Sequence, residues 1–183
     1  MKDRILQAFM EEAKDKHLKF TMDDLANRLG ISKRTLYQHF SSKKEMLDEI
    51  IDTSLKEIDE KTETIVQDDQ LSLTEKIRGV ITVVPKYNDF FDWKLLEQMK
   101  KTYPEQWKSV HVALNEWEAL RGLIDQGIKE GIIADQNVSL LIKIIIDAAN
   151  ATLDRQFFLE NSISVDEALD TIVDMLLFGI VKK

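Results

Sequence analysis

Cysteine is absent from this 183-residue chain, so neither a disulfide framework nor a thiolate metal site can be built from it. Prolines number 2 and glycines 6, and with no strand-like alternation bounded by turn residues that scarcity leaves little room for a sheet. Long apolar runs are missing too: the most apolar stretch, Leu140 to Ile146, is interrupted by Lys143 and closed by Asp147, far too short to span a bilayer. The first residues, MKDRILQAFMEEAKDK, lack the apolar core of a signal peptide, so the expected location is the cytoplasm. Catalytic signatures are absent as well. There is no glycine-rich phosphate loop, Gly-x-Ser-x-Gly elbow, His-Glu-x-x-His or Glu-x-x-His pair. The 3 histidines are scattered; His17 closes a helix, where a cation suits the dipole, and His111 stands alone, so both read as structural. No metal, no cofactor and no enzymatic activity are expected.

What remains is an apolar fraction of 44%, enough for a real core, arranged at helical spacing. The fold class is all-α with about nine helices. The most informative stretch is Thr21 to Lys44, TMDDLANRLGISKRTLYQHFSSKK. Thr21 can cap the amide of Asp24, and Met22, Leu25, Ala26 and Leu29 form one helical face. Gly30 can take the left-handed conformation that ends a helix, and Ser32 is placed to cap the next one. That second helix, expected over 33–39, can turn inward only Leu36 and Phe40, leaving Lys33, Arg34, Thr35, Tyr37, Gln38 and His39 outside. This is the pattern of a helix-turn-helix with an exposed recognition helix. A charged helical face is also the common solvated kind, and many helical hairpins never touch nucleic acid.

Charge favours DNA. Residues 21–44 hold five cations (Arg28, Lys33, Arg34, Lys43, Lys44) against Asp23 and Asp24, a net +3 in a chain of −8. Residues 1–47 carry ten Lys and Arg against seven Asp and Glu, whereas the rest carries fifteen against twenty-six. A small basic head on an acidic body suits phosphate contact without general adhesion to polyanions.

The run TMDDLANRLGISKRTLYQHFSSKKEML resembles the N-terminal domain of the tetracycline-repressor (TetR) family of bacterial transcription regulators. The likeness lies in the threonine opening the second helix, Leu-Ala before the turn, Gly-Ile-Ser within it, Thr-Leu-Tyr-x-His-Phe in the recognition helix and Ser-x-Lys-x-x-Leu beyond. It covers roughly residues 3–50; the remainder agrees in being helical, in length and in a Gly-Ile-x-x-Gly-Ile helix end. The resemblance implies a helix-turn-helix DNA-binding domain over 1–47 and a helical effector-binding and dimerisation domain over 48–183. Thr21, Tyr37 and Lys43 are then expected on phosphates, and Lys33, Arg34, Thr35 and Gln38 on base edges. Ser32 and His39 complete the DNA-facing set. Arg34 departs from the small residue often found there in the family.

In the body, Tyr87, Phe90, Phe91, Trp93, Tyr103, Trp107 and Trp117 crowd two expected helices, in the part that encloses the effector pocket in the resembled family. Aromatics at helical spacing are usually core; the candidate ligand contacts are Phe90, Trp93, Met99, Trp107 and Trp117, with Gln98, Asn115 and Glu118 as polar neighbours. The last two expected helices, 137–159 and from Ser164 to about Val181, are apolar on more than one side. They are expected to bury one face internally and the other against a second subunit, through Ile145, Ala149, Leu153, Ile172, Leu176 and Ile180; a fully buried central helix is the alternative. The resulting reading is a homodimeric repressor on a pseudopalindromic DNA operator, released by a small-molecule effector. The competing reading is a helical adaptor for other proteins.

Overall fold

The computed structural model describes residues 1–180, with side chains to Phe178; among them are eleven α-helices and no strand. The helices form two compact units, one made of Met1–Leu55 with Tyr87–His111, the other of Lys56–Lys86 with the chain from Val112 onward. The packing therefore divides the chain differently from the sequence boundary at residue 47. Residues 87–111 join the head.

In the first unit α1 (Lys2–Lys16) buries Ile5, Leu6, Phe9 and Ala13 and leads through a 3-10 turn, His17–Lys19, into α2 (Met22–Leu29) and α3 (Lys33–Tyr37). Helix α4 (Lys43–Gln67) follows. Its start is capped by Ser42, whose hydroxyl accepts from the Glu45 amide at 3.2 Å, while the Glu45 carboxylate accepts from the Ser41 amide and hydroxyl at 2.6 and 2.7 Å. Met46, Leu47, Ile50 and Ile51 are its buried side. Helix α6 (Trp93–Thr102) contributes Leu95, Leu96 and Met99 to the same unit. Full burial of such side chains stabilises by roughly 1.5–3 kcal/mol each.

The second unit centres on α5 (Leu73–Ile81), α8 (Glu118–Lys129), α9 (Val138–Asn150) and α11 (Val165–Ile180). Ile77, Val80, Ile81, Leu120, Leu123, Ile124, Ile142, Ile145, Ile146 and Val173 form one apolar cluster. Arg78 of α5 ties it to α11 by pairing with Asp170 and Asp174. After α8, the left-handed Gly131 (φ +75°) turns the chain, and the Gly127 carbonyl accepts from the amides of Ile132 and Ile133.

Two expected helices are broken where the sequence carries neither proline nor glycine. Thr102, Pro104 and Glu105 make a helix start from which the sequence predicts one helix running to about Glu130; the structure instead has α7 (Pro104–Asn115) followed by α8. At the break the Trp117 indole donates to the Ala113 carbonyl at 3.0 Å, occupying the acceptor that the Trp117 backbone amide would use in a continuous helix. The helix expected over 137–159 ends as α9 at Asn150, whose side-chain amide donates to the Leu114 carbonyl at 2.9 Å. A 3-10 turn, Ala151–Leu153, and α10 (Arg155–Glu160), capped by Asp154, follow.

Candidate nucleic-acid interface

The hairpin is built by its caps. Thr21 Oγ1 accepts from the Asp24 amide at 3.2 Å, and Asp24 Oδ2 accepts from the Thr21 amide and hydroxyl at 2.7 and 2.8 Å. Those hydrogen bonds hold the Asp24 carboxyl below its ordinary range. Gly30 closes α2 at φ +64°, and the Ile31 amide returns to the Ala26 carbonyl at 3.1 Å. Ser32 caps α3 by accepting from the Thr35 amide at 3.0 Å, and its hydroxyl also bonds the Thr35 hydroxyl at 2.8 Å. Leu36 and Phe40 are 0% and 1% exposed, as an i, i+4 pair with one inward face should be. Arg34, Tyr37 and Gln38 are exposed, with His39 and Thr35 partly so; α3 is shorter than expected, ending at Tyr37.

The cations of this stretch are less available than their number suggests. Arg28 lies among Glu11, Glu12 and Asp15, at 3.3, 3.0 and 2.9 Å, and the hydrogen bonds to Asp15 and Glu12 raise its pKa further. Lys33 pairs with Asp23, and Lys44 with Asp48 at 3.2 Å. Lys43, expected on a phosphate, instead donates to the Leu18 and Phe20 carbonyls at 2.7 and 2.6 Å and lies 4.5 Å above the Phe20 ring. Partial burial lowers its pKa. The Arg34 side chain has no ion pair or hydrogen bond among the described residues. The Arg28 cluster escaped the sequence reading, although three carboxylates near the C-terminal end of α1 were a signal: acids there oppose the helix dipole unless a cation answers them.

The candidate ligand contacts fall in both units. Phe90 is buried against Phe9 and Phe91, with ring centroids 6.0 and 5.3 Å away, and Met99 is 0% exposed. Trp93 is 49% exposed. Trp107 stands between the Lys100 ammonium and the His111 ring, at 4.9 and 4.7 Å. These four belong to the first unit and Trp117 to the second, where it packs against the apolar cluster. The second unit also has an open cleft of about 570 Å³ lined by Glu60, Lys61, Thr64, Ile65, Gly79, Thr82, Val83, Val84 and Asp166. None of the five candidates lines it.

Of the six candidate subunit contacts, three are buried within their own chain. Ile145, Ala149 and Leu153 are 0%, 5% and 5% exposed, because α9 packs against α8 and α11 and the 3-10 turn that follows packs against α11. Ile172 and Leu176 are half-buried, and the side chain of Ile180 lies outside the described residues. On α9 and α11 the large apolar side chains that face outward among the described residues are Leu140 and Ile144, and Met175 and Phe178, at 60%, 46%, 74% and 83%. Among the described residues no helix is long and apolar enough to cross a membrane.

The geometry defines a helix-turn-helix DNA-binding head joined to further helices. Residues 5–50 match the family model described as bacterial regulatory proteins, tetR family. The chain is 29% identical over 181 residues to the uncharacterised HTH-type transcriptional regulator YvaF of Bacillus subtilis strain 168, covering 98% of this chain and 95% of that protein. The crystal structure of the TetR-family transcriptional regulator PfmR from Thermus thermophilus superposes with TM-score 0.78 at 26% identity, over 96% of this chain and 97% of that one. The ketosteroid transcriptional regulator of Mycobacterium tuberculosis shares the fold, with TM-score 0.78 at 20% identity over 100% and 95% of the two chains. Residues 5–50 thus carry the DNA-binding domain of the tetR family, and over nearly its whole length the chain is similar to TetR-family transcription regulators. It is a DNA-binding regulator and not an enzyme.

Proposed function

We propose that this regulator is a homodimeric repressor that acts in the cytoplasm, reads a pseudopalindromic operator with α3 of each subunit, and leaves it when a small molecule binds the helical body. The observation that carries the reading is the division of residues 33–40, α3 and the residues that follow it. Leu36 and Phe40 are sunk in the head while Arg34, Tyr37 and Gln38 project from it, the arrangement a helix needs to enter a major groove. In this reading Thr21, at the start of α2, and Tyr37 contact phosphates, and Lys33, Arg34, Thr35 and Gln38 contact base edges. Ser32 and His39 lie at the two ends of the same surface. Two such heads bind half-sites ~34–36 Å apart, so a small change in their separation weakens both contacts together. Release then needs no contact between ligand and DNA, and its size is bounded by the ligand's preference for the non-binding arrangement, typically ~1–3 kcal/mol.

Selection of bound sequences from a random duplex pool with purified protein tests this. A two-fold symmetric motif, bound more weakly as salt rises, is the expected result. Recovery of no motif would remove the operator and favour an adaptor that binds other proteins.

A further inference from the structure

We propose that Gln98 of α6 and Gln106 of α7 are positioning residues for DNA binding, fixing the reading head from helices outside the hairpin; the proposal rests on the DNA-reading role of that head. The corner between α1 and α2 carries a strained backbone, with His17 at φ +57° and ψ −156°, a conformation that persists only where its surroundings impose it. Two side chains from distant elements claim the next peptide groups. The Leu18 amide donates to Gln98 Oε1 at 3.0 Å, and the Leu18 carbonyl accepts from Lys43. Phe20 closes the corner against Phe9 at 5.2 Å, and Phe9 in turn meets Phe90 at 6.0 Å.

Thr21, the cap of α2, follows directly, so the placement of its hydroxyl and of the hairpin is set partly from α6. Gln106 makes a second tie. It is 7% exposed and donates to Asp48 Oδ1 of α4 at 2.6 Å. Both bonds lie within the compact unit of Met1–Leu55 and Tyr87–His111. A displacement of α6 thus reaches the start of α2 through one hydrogen bond, with no tilt of α4 required.

The experiment compares wild type, Gln98→Met and Gln98→Glu on a duplex selected by the wild-type protein. Methionine keeps the length and removes the acceptor, leaving a partly buried amide unpaired; glutamate keeps an acceptor. Gln98→Met should weaken binding about tenfold without changing base preference, and should speed hydrogen exchange at the Leu18 amide. Gln98→Glu should restore both. Gln106→Met should weaken binding in the same uniform way. If Gln98→Met and Gln106→Met lower the melting temperature but bind the duplex as wild type does at a temperature where both are folded, the two glutamines serve stability alone and the proposal is overturned. A wild-type protein that selects no duplex overturns the DNA reading and this proposal with it.

Discussion

Four of the five cations between residues 21 and 44 are already answered within the protein: Arg28 by three carboxylates, Lys33 by Asp23, Lys44 by Asp48 and Lys43 by two carbonyls. They are not equivalent. Exposed single pairs are worth at most ~1 kcal/mol, so Lys33 can exchange Asp23 for a phosphate or a base, whereas Arg28 would have to leave three partners and Lys43 would open the α1–α2 corner. Arg34 starts with no partner to leave. Arg34→Ala should therefore relax preference at one position of each half-site by ~1–3 kcal/mol, while Tyr37→Phe should weaken all sequences alike. Motif selection with both variants is the measurement, and an Arg34→Ala motif identical to wild type would exclude base reading by Arg34. The candidate DNA residues were legible because caps and turns are local: Thr21, Gly30 and Ser32 act within a few residues of themselves. The inward turn of Lys43 was not, since its acceptors lie 23 and 25 residues away.

At the scale of the element, α8 shows how a single missing side chain sets a packing distance. A Cβ on Gly127 would lie 2.6 Å from Ile133 Cδ1 and 3.1 Å from Leu73 Cδ2, so the Ile133 side chain, 1% exposed, would have to shift within a packed core. Gly127→Ala should cost ~1–3 kcal/mol, read as a lowered melting temperature; a variant as stable as wild type would mean that this contact relaxes freely. Gly131, at φ +75° with open space around it, constrains by conformation instead. Helix starts with serine or threonine caps were readable from spacing. The interruptions at Trp117 and Asn150 were not, because each is made by a side chain taking a carbonyl within the fold.

For the whole molecule, the outward face of α9 and α11 sets the assembly prediction. Met175 and Phe178 are among the most exposed large apolar side chains, and in the proposed homodimer a second subunit would cover this face by two-fold symmetry. Met175→Glu should yield a folded monomer with weakened operator binding, since a carboxylate is costly to bury there. Ile145→Glu should instead unfold the chain, because Ile145 is 0% exposed in its own core. Sedimentation combined with circular dichroism separates the two, and a dimeric Met175→Glu would move the interface elsewhere. By itself the sequence determined the helical class, the caps, the turn at Gly30 and the inward pair Leu36 and Phe40, all consequences of interactions between residues a few positions apart. Only the tertiary structure decided which side of α9 faces inward, that residues 87–111 join the head, and which cations remain without partners. A helix that is apolar on two sides carries no record of which side meets its own chain, and an ion pair between separate helices exists only once packing has brought its charges together.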